Sequence, residues 1–329
     1  MILTNTNHWV QHEHFKLFSL DLAPEKRDMI RYSKFRIGGP PSKKEPEMPT
    51  GVLASVIAPH TPRIGIEANV PDFQQGLVSG LREMGQALRA LKPDGVVLFS
   101  SHWVSTFKWY TTSHEQHEGI CIADEAPDLI PGVPYQWPGN PGLAKELAER
   151  LNQNDVPCGL NDSHHFNWDY GTYVPLQYLD PDRELPVVVM PTVICSDLGE
   201  CRKVGRLIHE SAVAAGQRIV FVASCALAHK VVRGPELWPS EAHQALDQQL
   251  ISHFKDGKLA DLAEWSTTYC KEAVAEMEGR PIQGMIGAAE AMAENLTASG
   301  LQMEGRMYGD YAQSSGSGNA SLGFFAKGI

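Results

Sequence analysis

Of the 13 histidines in this chain of 329 residues, His60, His102 and His229 share a setting. Each follows a short apolar run rich in β-branched residues. Val52–Ala58 stops at Pro59 and delivers His60, Gly95–Ser101 places His102 just past its end, and Arg218–Ser224 precedes His229 by five residues. Such runs read as buried strands. A neutral imidazole binds metals, and its ordinary pKa lets it carry protons near neutral pH. At equivalent strand ends the three rings would converge on one side of an open parallel sheet, where ligands collect. The pattern alone does not say which rings bind a metal and which handle protons.

Two imidazoles and one carboxylate on one face of an octahedron suit ferrous iron and leave adjacent positions open. Glu272, Glu276 and Glu278, just ahead of the apolar stretch Ile282–Ala289, are a source of that carboxylate. Taken with Lys271, the same residues also read as a solvated helix face, and charge pattern by itself favours that reading. The segment Asp162–Tyr173 is dense in polar and aromatic groups and reads as a loop lining the site, with His165 and Tyr170 as hydrogen-bond donors. Its alternative is a packed aromatic loop whose polar groups serve its own backbone. Trp103 and Trp109 would wall an aromatic pocket or fill a core. His114, Glu115, His117 and Glu118 imitate metal-ligand spacing but fall in an expected surface turn. Nucleotide-binding glycine motifs and a GxSxG elbow are absent, and Ala223-Ser-Cys-Ala226 lacks the elbow's flanking glycines.

The elements that must hold these residues follow from periodicity. Phe73, Leu77, Leu81, Met84, Leu88 and Leu91 mark one face of a helix that ends before Pro93. Asn140-Pro141 has the chemistry of a helix start, with Leu143, Leu147 and Leu151 as its buried face. Pro186–Met190 reads as a strand, Glu200–Ala215 as a helix, and residues 240–300 as mostly helical, with Leu246, Leu250, Phe254, Leu262, Trp265, Met285 and Met292 in the core. Gln313–Asn319 reads as a Ser/Gly loop before a final apolar Leu322–Phe325. Alternation of strands and helices predicts an α/β domain with a central, mainly parallel sheet flanked by helices and the site at the carboxyl ends of the strands. This catalytic domain spans 51–329. Residues 1–50, carrying His8, His12 and His14 and ending in a proline-rich polar stretch, read as an arm or linker.

Bulk properties narrow the function. With 43% hydrophobic and 20% charged residues the composition is that of a soluble globular protein. A net charge of −11 argues against nucleic acid or an anionic membrane as partner. No apolar run is long enough to span a bilayer, and residues 1–30 lack a signal-peptide pattern. Six scattered cysteines without a CxxC pair fit a reducing cytoplasm better than a disulfide framework or a zinc–thiolate site.

The motifs together resemble those of the class III extradiol ring-cleavage dioxygenases, the superfamily of protocatechuate 4,5-dioxygenase catalytic subunits. The matching segments are Ala58-Pro-His-Thr-Pro62, Ser101-His-Trp103, Asp169-Tyr-Gly-Thr172 and Ala223-Ser-Cys-Ala-Leu-Ala-His229. Within that superfamily, His117–Gly119, Tyr135–Pro141 and Ser314–Asn319 look most like the homoprotocatechuate 2,3-dioxygenases, and 2-aminophenol 1,6-dioxygenases are similar. The resemblance runs from about residue 51 to 326. It implies Fe(II) bound by His60, His102 and Glu276, with Glu278 the runner-up carboxylate. It makes His229 the acid–base residue and Tyr170 a hydrogen-bond donor. Several members have His at the position of Tyr170, whereas the aminophenol and homoprotocatechuate cleavers are similar to this chain in having Tyr. The implied activity is oxidative opening of a catechol-type ring by O2 in aromatic catabolism, by a homo-oligomer. A 2-aminophenol or hydroxypyridone substrate, a zinc hydrolase using the same ligands, and a non-catalytic binding relative are the alternatives.

Overall fold

The computed structural model describes residues 48–327, so the expected arm of residues 1–50, with its three histidines, lies outside it apart from its last positions. Strand β1 (Gly51–Ala58) opens the described chain and stops where Pro59 can no longer donate to a ladder. It is followed by α1 (Gln75–Ala90), whose apolar face is the one the leucine spacing predicts. Next come β2 (Gly95–Ser105), β3 (Trp109–Thr112), β4 (Gln116–Cys121) and β5 (Val133–Pro138). Helix α2 (Pro141–Gln153) starts as expected, with Asn140 accepting the Leu143 amide and Pro141 in the first turn. Then follow β6 (Cys158–Asn161), α3 (Tyr170–Leu179), β7 (Val187–Val193), α4 (Leu198–Ala214) and β8 (Arg218–Ser224). The chain closes with α5 (Glu241–Lys255), α6 (Leu259–Glu272), α7 (Arg280–Ala298), β9 (Gln302–Ser314) and β10 (Ser317–Lys327).

The main sheet runs in the order β7-β2-β8-β1-β10-β9. Its first four strands are parallel, and β10 and β9 extend it antiparallel beyond β1. Successive strand residues point to opposite faces, which splits the interior into two cores. Val97, Phe99, Ile219 and Phe221 pack with α2 and α4–α7, while Val96, Leu98, Val220 and Val222 pack with α1 and α3. Among the described residues no helix is long and apolar enough to cross a membrane.

The structure departs from the sequence reading in four places. Asp162–Tyr173 is not wholly a loop, because Asp169 caps α3 and residues 170–173 form the start of that helix. Gln313–Asn319 is not a loop: β9 and β10 form a hairpin whose turn is only Ser315-Gly316. Gly316 there has φ +82°, the left-handed region that glycine enters without cost. The alternation in β9 is diluted by glycines and exposed charges, which hid the strand. The expected surface turn at 114–118 is instead mostly strand: His114 and Glu115 lead into β4, where His117 and Glu118 pair antiparallel with β5. His102 lies inside β2 rather than past its end.

Helices α4 and α7 approach each other at glycines. A Cβ at Gly205 would stand 1.9 Å from the Gly284 carbonyl oxygen, and one at Gly287 the same distance from that of Arg202. We predict that Gly205→Val lowers stability by about 3 kcal/mol through overpacking. This should appear as a lower urea midpoint at unchanged slope, and a parent-like midpoint would refute so tight a seam.

Candidate metal centre

Three chain irregularities aim side chains at one point. Pro59 ends β1, so His60 leaves the sheet at its carboxyl edge. In β2 the pairing to β7 passes from Ser100↔Pro191 to Val104↔Thr192, so Ser101, His102 and Trp103 bulge out of the ladder. Ser100 Oγ takes up the amides of His102 and Trp103 at 3.1 and 3.3 Å. The same hydroxyl donates to Asp169 Oδ1 at 2.6 Å, linking the bulge to the N-cap of α3. The third irregularity is the turn Glu276–Gly279 between α6 and α7, where Met277, Glu278 and Gly279 have φ of 50°, 56° and 80°. At Gly279 a side chain is excluded, since a Cβ would lie 2.1 Å from Cys270 Sγ. This backbone turns Glu276 inward, 4% exposed, and sends Glu278 out to solvent, where it meets Arg280.

His60 Nε2 and His102 Nε2 are 3.2 Å apart, and Glu276 Oε1 lies 3.2 Å from the first and 3.6 Å from the second. Neighbours decide the tautomers. Pro175 sits inside α3 and has no N–H for the carbonyl of Gly171 four residues back. Ser224 Oγ donates to that carbonyl instead, at 2.5 Å, so its oxygen accepts from His60 Nδ1 at 2.9 Å. His102 Nδ1 faces the Glu125 carboxylate at 3.1 Å. Both rings therefore turn bare Nε2 lone pairs toward each other. Glu276 is fixed by its own backbone amide to Leu227 O and by the Ala226 amide on Oε2, which leaves Oε1 for the cluster.

The electrostatics are those of a cation site. Burial pushes the Glu276 carboxyl up, but His60, His229 and His102 together hold it far below the usual carboxylate range. Burial lowers His60, yet Glu276 raises it on balance, while burial and the neighbouring His60 lower His102. Bare nitrogens at this spacing repel unless a proton or a metal lies between them. Two neutral imidazoles, one ionised carboxylate and oriented outer partners fit a divalent metal.

A cavity of about 410 Å³ opens beside the cluster and is lined by His60, His102, Tyr170 and His229. His229 Nε2 is 3.9 Å from Glu276 Oε1, and its side chain is one-third exposed to the cavity. The Tyr170 ring lies 4.0 Å from that of His102, and burial pushes its hydroxyl well above the ordinary phenol range, keeping the proton on oxygen. The cavity's far wall is the β9–β10 turn, with Ser314, Ser315, Ser317 and Asn319.

Other candidates lie elsewhere. Glu272, Lys271 and His165 are exposed. His117 is buried, with Nε2 on Val187 O at 3.0 Å, and burial lowers its pKa to about 4; neither it nor His114 joins a metal cluster among the described residues. Trp109 is a core residue donating to Glu200, and Trp103 packs on Phe166, so neither walls the cavity. Sequence reasoning missed Ser224 and Glu125. Ser224 lies within the motif Ala223-Ser-Cys-Ala-Leu-Ala-His229, but nothing local to that motif marks its hydroxyl as the partner of His60.

Residues 55–308 match the sequence profile of a family described as the catalytic LigB subunit of aromatic ring-opening dioxygenase. The chain is 21% identical over 211 residues to 3,4-dihydroxyphenylacetate 2,3-dioxygenase of Escherichia coli, which spans 62% of this chain and 76% of that protein. It is 23% identical over 262 residues to the beta subunit of 2-aminophenol 1,6-dioxygenase of a Pseudomonas species, covering 73% of this chain and 86% of that subunit. An uncharacterized protein of Escherichia coli K12 has a similar fold, with TM-score 0.56 at 16% identity over 82% of this chain and 99% of that one.

Ser224→Ala should weaken metal binding about 10- to 100-fold by freeing the His60 tautomer. Pro175→Ala, which restores a helical N–H to compete for Gly171 O, should act in the same direction. Glu276→Gln should lose the metal while Glu278→Gln keeps it. Anaerobic Fe(II) titration against a chelator reads all four, and parent-like affinity in Ser224→Ala would break the tautomer argument.

Proposed function

The chain belongs to the LigB family of catalytic subunits of aromatic ring-opening dioxygenases, and from that premise we propose that it is an extradiol enzyme that uses Fe(II) held by His60, His102 and Glu276 to open a catechol-type ring. Both atoms of O2 would enter the product. The observation that carries the reading is the convergence of two imidazole nitrogens and one carboxylate oxygen beside a cavity of about 410 Å³ that both histidines line. Iron there would supply joint activation of the substrate and O2, as this donor set does in non-haem oxygenases.

The remaining chemistry belongs to the protein. His229 Nε2 faces the cavity beside the cluster and would take the proton from a substrate hydroxyl, then return it as the O–O bond breaks. Tyr170, with its proton held on oxygen, would donate a hydrogen bond to the substrate or to the reacting oxygen. The cavity walls would hold the ring and O2 in one orientation, which removes most of the entropic cost of bringing them together. Arg63 also lines the cavity and has no ion pair among the described residues, which favours a ring with an anionic substituent. The E. coli relative's printed substrate, 3,4-dihydroxyphenylacetate, is of that kind. A 2-aminophenol is the second reading, supported by the Pseudomonas relatives, and Tyr170 is compatible with both. Zinc also suits two histidines and a glutamate, so metal analysis of protein purified without O2 belongs to the test. A cytoplasmic homo-oligomer in aromatic catabolism completes the proposal.

The deciding experiment loads the protein anaerobically with Fe(II) and adds O2 to a panel of carboxylated catechols, neutral catechols, 2-aminophenols and hydroxypyridones. A ring-opened chromophore from a catechol is expected, and its absence across the panel would defeat the proposal. His229→Phe should keep its iron and lose about 100- to 10,000-fold in kcat. Undiminished turnover would remove the acid–base role.

A further inference from the structure

Asp247 is a carboxylate with no exposed surface and no part in the cluster described above. Three groups from three parts of the fold donate to it. Its Oδ1 receives the Ala228 amide at 3.1 Å and the Tyr269 hydroxyl at 2.7 Å, and its Oδ2 receives the Tyr311 hydroxyl at 2.7 Å. Beside Oδ2 lies Gly318 of β10, where a Cβ would stand 2.1 Å from that oxygen. Among the described residues no cation compensates it, and burial pushes its pKa up to about 6 despite the three donors. A buried carboxylate without a counter-charge is costly, so an apolar residue here would be the cheaper choice for stability alone.

What the carboxylate holds is the segment that leads from β8 to His229. All four amides of Ala226–His229 are accounted for. Ala226 donates to Glu276 Oε2 (2.5 Å), Leu227 to Gly318 O (2.8 Å) and His229 to Val274 O (3.0 Å). Ala226 and Ala228 thus have side chains as acceptors, and the one that takes the amide next to His229 is Asp247. The segment is thus pinned to the Glu276 turn on one side and to β10 on the other, with Asp247 behind the residue that precedes His229. We propose that Asp247 is a positioning residue for His229: through the Ala228 amide it sets where the imidazole stands relative to the cavity. The inference rests on the reading of His229 as the acid–base group.

The test is a double-mutant cycle with fully iron-loaded protein, using whichever compound of the panel is turned over fastest. Asp247→Leu, which keeps the branched shape and orphans the Ala228 amide, should lower kcat about 100-fold while KM and iron content stay at parent values. Asp247→Asn, whose amide oxygen can still accept from Ala228 and Tyr269, should recover most of the rate. In the His229→Phe background Asp247→Leu should cost nothing further, a result that general destabilisation would not produce. Losses that multiply in the double variant overturn the inference alone. Parent-level turnover in His229→Phe overturns the reading of His229 and this inference with it. If Asp247→Leu does not fold, the Tyr269→Phe/Tyr311→Phe variant leaves the carboxylate in place without its two hydroxyls. It should show a smaller fall in kcat, again absent in the His229→Phe background, and a parent-level kcat there overturns the inference.

Discussion

Two imidazole nitrogens and a carboxylate oxygen stripped of protons and crowded within 3.6 Å are not a stable arrangement on their own. The surrounding fold is arranged to keep them there. One chain of causes begins with a backbone defect. Pro175 removes an N–H from α3, the freed Gly171 carbonyl takes the Ser224 hydroxyl, and the hydroxyl oxygen takes the Nδ1 proton of His60. The result is a lone pair at Nε2. On the other ring Glu125 serves the same end from a solvent-exposed position, with a more easily screened charge. The two histidines therefore differ in how firmly their tautomers are set.

The parallel strands supply the rigid base for this. His60 follows the end of β1, His102 sits on the bulge of β2 and His229 lies five residues beyond β8, and the buried faces of these strands are packed on both sides. The third ligand candidate has a different support. Glu276 sits on a turn with left-handed residues at Val274, Met277 and Glu278, each of which costs of order 1 kcal/mol or more outside glycine. That turn is held by the glycine seam of α4 with α7, by Gly279 under Cys270, and by the bridge between Ala228 and Ala275. Strain stored beside a binding cluster requires such over-determination, because a relaxed helical path would carry the carboxylate away.

Polar groups around the cluster form a connected set. Asp169 caps α3, receives Ser100 and so reaches the bulge that carries His102. Asp247 ties α5, α6 and β9 to the segment that carries His229. In both cases an acidic residue accepts from backbone or hydroxyl donors and pairs with no cation among the described residues, which fixes direction more than it adds stability. The β9–β10 hairpin closes the cavity, so a segment that reads as a flexible Ser/Gly loop is part of the site's wall.

Much of this was legible in the chain. Runs of β-branched residues marked β1, β2, β7 and β8, and leucine spacing marked α1 and α2, because hydrophobic period and chain breaks are local properties. The short motifs around His60, His102, Asp169 and His229 also carried the family resemblance. The resemblance put Glu276 ahead of Glu278, the tertiary structure shows which of the two faces the imidazoles, and it alone decided which neighbours orient them. Glu276 and Glu278 are chemically alike and two residues apart, and a handful of positive φ angles separates the buried one from the exposed one. Ser224, Glu125 and Asp247 act across separations of 164, 23 and 19 residues. No local pattern records such contacts, because a hydrogen bond depends on where two chain segments meet and not on what lies beside either of them.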